Sequence, residues 1–168
     1  MFLAKLLVSL VLAATAASTV PGESIPDGHC CFSLADESSS KTLQQEFGTG
    51  FIYFDTKNPN TPYTKFCLKP GAYNKALRDQ TQNACQFEYG LQLQCIGPMT
   101  DFMQWSITKR EGKQRLAVDG NTGFRACPLD QGGWGVFHVN GIRYGDDCRN
   151  MTLLAKEFRG ACHGIVSD

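Results

Sequence analysis

The eight cysteines, at positions 30, 31, 67, 85, 95, 127, 148 and 162, constrain this chain more than any other feature. What precedes them gives them their meaning. Lys5 leads into the apolar run Leu6 to Ala14, and Ala14-Thr15-Ala16 has the small-x-small form of a cleavage site. Residues 1–16 therefore read as a secretory signal peptide. An even number of cysteines delivered to an oxidising compartment is expected to close into four disulfides. Eight cysteines allow on the order of a hundred pairings, and the spacing does not choose among them. Cys30 and Cys31 are adjacent, so direct closure between them is sterically awkward, and the two are expected to reach different parts of the fold. A zinc site built from His29, Cys30 and Cys31 is the alternative. The chain has no C-x-x-C pair, and thiolates outside the cell would oxidise, so the cysteines read as staples, with no metal and no cofactor.

Past the leader, residues 17–29 form an arm punctuated by Pro21, Gly22, Pro26 and Gly28, and residues 30–168 are expected to form one domain. About 150 residues suffice for a real hydrophobic core. No later stretch approaches the roughly 20 apolar residues of a spanning helix, so the expected product is secreted and extracellular, with no membrane span. Sixteen basic and sixteen acidic residues balance, and no charge run marks a nucleic-acid-binding surface.

Cys30-Cys31-Phe32-Ser33-Leu34 reads as a first strand, followed by a polar loop from Asp36 to Lys41. Strands are also expected over Thr49–Asp55, between glycine-rich and Asn-Pro-Asn punctuation, and over Thr64–Leu68, stopped by Pro70-Gly71. Ala72 to Asn83, with Tyr73, Ala76 and Leu77 on one face, is the one place for a short helix. Gln86 to Cys95 alternates Phe87, Tyr89, Leu91, Leu93 and Cys95 against polar residues and glycine, the pattern of one strand with a buried and a wet face. Met103–Thr108 and Arg115–Asp119 read as a hairpin placing Trp105 and Ile107 opposite Leu116 and Val118. A strand ending near Cys127-Pro128, the turn residues Asp130, Gly132 and Gly133, and an aromatic strand from Trp134 closed by Asn140-Gly141 make a second hairpin. Cys148 to Phe158 is read as the last long strand. About nine short strands without helix–strand alternation predict an all-β fold, a disulfide-stapled antiparallel β-sandwich or barrel with at most one short helix.

Candidate chemistry is sparse. Asp146 and Asp147 share a glycine-flanked turn, and neighbouring residues diverge, so a solvated turn is favoured over an acid–base pair. His138 lies within the aromatic strand as a packing residue, and His29 and His163 sit beside cysteines near the chain ends. No G-x-S-x-G or H-E-x-x-H motif is present. The expected protein is therefore not an enzyme. Among the aromatics, Trp105 and Trp134 are expected to pack in the core, whereas Tyr53, Tyr63 and Tyr144 lie near loops where a ligand could reach them. Asn150-Met151-Thr152 is the one glycosylation sequon, which predicts that Asn150 faces solvent.

Taken together, Cys30-Cys31-Phe32-Ser33-Leu34, Phe66-Cys67-Leu68, Gln94-Cys95, Phe124-Arg125-Ala126-Cys127-Pro128, Trp134 to Phe137 and Cys148 to Leu153 make the chain resemble a group of small secreted cysteine-rich fungal proteins. These are cell-wall-associated proteins and candidate effectors of plant-interacting fungi. The match spans nearly the whole mature chain as a pattern of cysteines and core residues, and it carries no catalytic residues. Ile96, where members often have Asp, the polar Tyr73–Asn83 stretch, and Cys162 beyond the usual last cysteine depart from it. The resemblance implies a non-catalytic effector or elicitor, a virulence-type glycoprotein acting at the host interface or cell wall. Its partner would be a host extracellular protein or a wall polysaccharide. A structural or carbohydrate-binding wall protein is the alternative, and a small secreted hydrolase the third reading.

Overall fold

A computed structural model describes residues 25–72, 75–88, 92–98, 103–140 and 147–167. The expected leader and most of the arm lie outside the described residues, as do Tyr73, Tyr89, Gly141, Tyr144 and Asp146. In chain order the strands are β1 (Cys30–Asp36), β2 (Leu43–Gln45), β3 (Ile52–Phe54), β4 (Lys65–Leu68), β5 (Arg78–Asp79), β6 (Cys85–Glu88) and β7 (Gln92–Cys95). They continue as β8 (Trp105–Arg110), β9 (Lys113–Val118), β10 (Phe124–Pro128), β11 (Trp134–His138), β12 (Arg149–Met151), β13 (Leu153–Gly160) and β14 (Val166–Ser167).

Two sheets hold these strands. One runs β14-β8-β9-β13-β1-β4-β5; the other runs β12-β10-β11-β3-β2, with β7 also paired to β11 and to β6. Neither sheet closes on itself, so the expected sandwich is the observed fold and the barrel is not. All pairings are antiparallel except that of β14 with β8. The inward residues of alternating strands form one core: Phe32 and Leu34 of β1, Phe66, Trp105, Ile107 and Leu116 gather with Ile52, Phe54, Phe124, Ala126 and Val136. Burying the nine fully enclosed Phe and Leu side chains among the described residues contributes about 1.5–3 kcal/mol each before entropy is counted.

Three expectations need correction. The 72–83 stretch holds no helix among the described residues; Arg78–Asp79 instead form β5 against Phe66 and Cys67. Its helical spacing is overridden because Asp79 caps its own turn, accepting from the Thr81 and Asn83 backbone N–H groups at 2.8 and 2.9 Å. Gln86 to Cys95 is a hairpin rather than one strand: Cys85 pairs with Cys95 and Phe87 with Leu93. Alternation continues across it because a hairpin preserves which face is buried on both arms. The last strand is two. Met151 ends β12 in one sheet and Leu153 begins β13 in the other, with Thr152 alone between them.

The hairpins around Lys113 and Gly133 stand as expected, with Trp105 opposite Val118 and Ile107 opposite Leu116. The eight cysteines form four disulfides: Cys30–Cys162, Cys31–Cys67, Cys85–Cys95 and Cys127–Cys148. Cys30 and Cys31 do diverge, one tying down the chain's end and the other stapling β1 to β4. Such a set belongs to a chain that folds in an oxidising, extracellular or secretory compartment. The described residues contain no helix long and apolar enough to cross a membrane.

Candidate functional site

Cross-strand pairing brings two of the three expected ligand-facing tyrosines onto one row. Gln44 pairs with Tyr53 on one side and with Tyr63 on the other, and paired residues share a face. The loop 56–61 then folds over Gln44, whose amide donates to the Thr61 carbonyl at 2.7 Å and accepts from the Thr56 N–H at 3.2 Å. Tyr63 is 70 % exposed and lines neither of the two clefts that flank the Glu46–Gly50 turn, while Tyr53 is half-buried. Tyr144 lies outside the described residues.

Tyr53 belongs to a cleft of about 170 Å3 formed with Glu46, Thr56, Asn58, Thr61 and the 129–132 turn. Its hydroxyl donates to Glu46 Oε2 at 3.4 Å, and Thr49 Oγ1 donates to the same oxygen at 2.6 Å. Burial pushes the phenol up to about 12, with the Glu46 charge and that hydrogen bond adding to the effect. The group is thus a neutral donor throughout the physiological range.

Glu46 also borders a second cleft, of about 230 Å3, on the far side of the Glu46–Gly50 turn. Gln45, Phe47, Thr64, Thr81, Asn83 and Ile96 are among its walls. Phe47 stands at the turn, 71 % exposed, and Ile96 is exposed nearby. The turn is fixed at both ends: the Phe47 N–H donates to the Asn60 carbonyl at 3.0 Å, and the Cys95 N–H donates to the Gly50 carbonyl at 2.9 Å. Gly50 has a φ of 74°, and a Cβ there would collide with the Cys95 carbonyl oxygen, so glycine is required.

Beneath this second cleft lies Asp79, fully buried. Its carboxylate accepts from Gln45 Nε2 at 2.7 Å, Thr81 Oγ1 at 2.9 Å and Asn83 Nδ2 at 3.1 Å, besides the two backbone N–H groups. Gln45 Oε1 in turn accepts from Thr64 Oγ1 at 3.1 Å. One buried acid therefore sets the rotamers of the polar groups in the cleft wall.

A third, broader groove of about 530 Å3 runs past Gly123, Phe124, Val139, Asn150 and Met151 to Asp36 and Glu37. Its acids are engaged in holding the sheets together. Asp36 is fully buried and meets Arg149 Nη2 at 2.8 Å, with Ser38 and Ser39 donating to the same oxygen. Burial raises its carboxyl, but the donors from Arg149, Ser39 and Ser38 outweigh it and bring the group down to about 2. Glu37 accepts from Arg115 Nε and Nη2, Lys113 and Thr152 Oγ1, which hold it well below the usual carboxylate range.

The other sequence-named groups lie apart from the two clefts beside the Glu46–Gly50 turn. The His138 ring packs edge-on against Phe87 at 5.1 Å, and its Nδ1 accepts from the Asn140 N–H. Trp105 is in the core; Trp134 is half-buried and stacked on Phe54 at 6.3 Å. Asn150 is exposed, as the sequon requires. The described residues hold no His, Cys, Asp or Glu grouping suited to a metal ion. Phe47 and Asp79 carry no weight in the sequence reading, and Ile96 enters it only as a departure from the fungal pattern. The available signal is an aromatic set in a glycine turn, Glu46-Phe47-Gly48-Thr49-Gly50, where no core position exists for it.

No family model, curated protein or solved structure matches the chain. The clefts themselves therefore carry the functional argument, together with the compartment that the disulfides indicate.

Proposed function

We propose that this is a secreted, non-catalytic protein of fungal effector or elicitor type that acts outside the cell, at the host interface or in the cell wall. The observation that carries the reading is a four-disulfide sandwich that leaves Phe47 and Ile96 exposed on a cleft walled, apart from Glu46, by neutral amides, hydroxyls and apolar groups. Exposed aromatics on a stapled scaffold suit recognition, because little order is lost on contact. Support for a non-catalytic role comes from the acids. Asp36 and Asp79, the fully buried carboxylates among the described residues, have their oxygens engaged by structural donors. The resemblance of the cysteine and core pattern to small secreted fungal proteins supports the same reading, as does a sequon whose Asn150 is exposed.

The test is made on the organism and the host together. Deleting the gene is expected to reduce growth on the host, and purified protein infiltrated into host tissue is expected to raise an oxidative burst or ion leakage. Unchanged growth together with a silent host would overturn the reading. The wall-protein alternative gains from the chemistry of the clefts.

A further inference from the structure

We propose that the two clefts flanking the Glu46–Gly50 turn form one binding site for a neutral polysaccharide chain, with Phe47 as its stacking platform. This deepens the reading above and rests on it. The argument begins with which hydrogen-bonding atoms the cleft wall can still offer. Asp79 is an acceptor only, and it draws the donors of Gln45, Thr81 and Asn83 toward itself. What these three residues still offer the cleft is acceptor capacity, beside the Gln80 amide, which can donate as well as accept. Asn83 Oδ1 has no hydrogen-bond partner among the described residues, and the Thr81 and Gln45 oxygens each retain a lone pair.

With no cation and only the Gln80 amide as an uncommitted side-chain donor among its described residues, the wall selects against phosphates, sulfates and carboxylates, which need several donors or cations. It suits a ligand rich in hydroxyl donors. The charged groups on the described cleft walls, Glu46 and Asp130, are acidic and would repel an anion further. Phe47 supplies the second requirement. Its ring is 71 % exposed on a turn whose ends are hydrogen-bonded in place, so the apolar face of a sugar ring can cover it without a rearrangement of the backbone. The third requirement is extent. Glu46 borders both clefts, so a chain of sugars lying across the turn would meet acceptors in one cleft and the Tyr53 side in the other. Glycans of wall and host origin share this chemistry, and the choice among them is made by the experiment.

Purified protein is titrated calorimetrically with a β-1,3-glucan hexasaccharide, a β-1,4-glucan hexasaccharide and chitohexaose, and sedimented with the matching insoluble polymers. At least one is expected to bind, and the arm that does names the glycan. Phe47→Ala and Phe47→Leu should each weaken that binding at least about tenfold, the scale of one lost stacked ring, whereas Phe47→Trp should retain it. Tyr63→Ala, equally exposed but on the wall of neither cleft, should stay within about twofold of the parent. Retention by Phe47→Leu would reduce the contact to plain apolar burial and overturn the proposal. Failure of all the glycans to bind would do the same. If the purified protein still provoked a host response in that case, the glycan site alone would have failed and the host-facing reading would stand.

Discussion

Arg149 of β12 reaches across the sandwich to Asp36 at the end of β1, 2.8 Å away, with its guanidinium carbon 5.6 Å from the Phe54 ring centre and 5.4 Å from that of Trp134. An ion pair between sheets is thereby stacked on an aromatic pair. Asp36 has no exposed surface, so its charge depends on these partners.

Acid should weaken this fold through Asp36. Its carboxyl is held at about 2 in the folded state against an ordinary 3.8, so the folded chain keeps the site deprotonated when the unfolded chain already binds a proton. The stabilisation is complete above about pH 4 and is lost as pH falls toward 2, a change on the order of 2 kcal/mol. Glu37, also lowered, acts in the same direction. Urea melts between pH 6 and 2 should show this slope. Asp36→Asn should flatten it while costing stability at neutral pH; an unchanged slope in that variant would refute the assignment.

At the alkaline end, Tyr53 should be the late-ionising tyrosine. Its hydroxyl is raised from 10.0 to about 12, so the stabilisation it gives is present below pH 10 and is lost as pH rises toward 12. Ultraviolet titration of Tyr53→Phe should lack the highest-pH component seen in the parent.

Removing disulfides should have graded costs. Cys30–Cys162 spans 132 residues and Cys85–Cys95 spans 10, so loop entropy predicts that the first contributes about 2 kcal/mol more. Paired serine replacements compared by denaturant midpoint would measure the difference. Cys127→Ser alone leaves Cys148 without its partner and should cost roughly 2–5 kcal/mol, with a sharp fall in secreted yield.

Gly50→Ala should destabilise by more than about 1 kcal/mol, because its positive φ and the Cys95 carbonyl both oppose a methyl group. Thermal melts check this, and Gly48→Ala is the comparison: its φ is also positive, but no atom lies within reach of a Cβ. The difference between the two isolates the collision.

Material from a glycosylating host should run as a larger species that an endoglycosidase shortens, and Asn150→Gln should abolish the shift. A mobility unaltered by either treatment would mean that the sequon is unused.

Sequence carried the class of this fold and the fate of its most marked stretch. Cys127, Pro128 and Trp134 fall where turn chemistry and β-branched alternation put them, because those signals are local. The crossover at Thr152 was not legible. Met151 and Leu153 continue the same buried alternation, and nothing in their chemistry records that they serve different sheets. Only Glu37 reveals it, since its N–H meets the Thr152 carbonyl at 2.9 Å and its carboxylate meets the Thr152 hydroxyl. The clefts were half legible. Tyr53 and Tyr63 were marked by loop proximity, but of the two Tyr53 alone lines a described cleft, walled by the 56–61 loop that Gln44 holds, a long-range choice that no spacing rule encodes. Asp79 was hidden for the same reason: its partner Gln45 is far away in the chain.

The Cys30–Cys162 bridge makes everything between those two residues a covalent ring. A single proteolytic cut anywhere inside that ring opens a loop but releases no fragment, because both pieces stay joined through the bridge. In a fluid rich in proteases, the folded protein can therefore be nicked at an exposed turn, such as the one at Gly132, and still hold its two sheets and its clefts together.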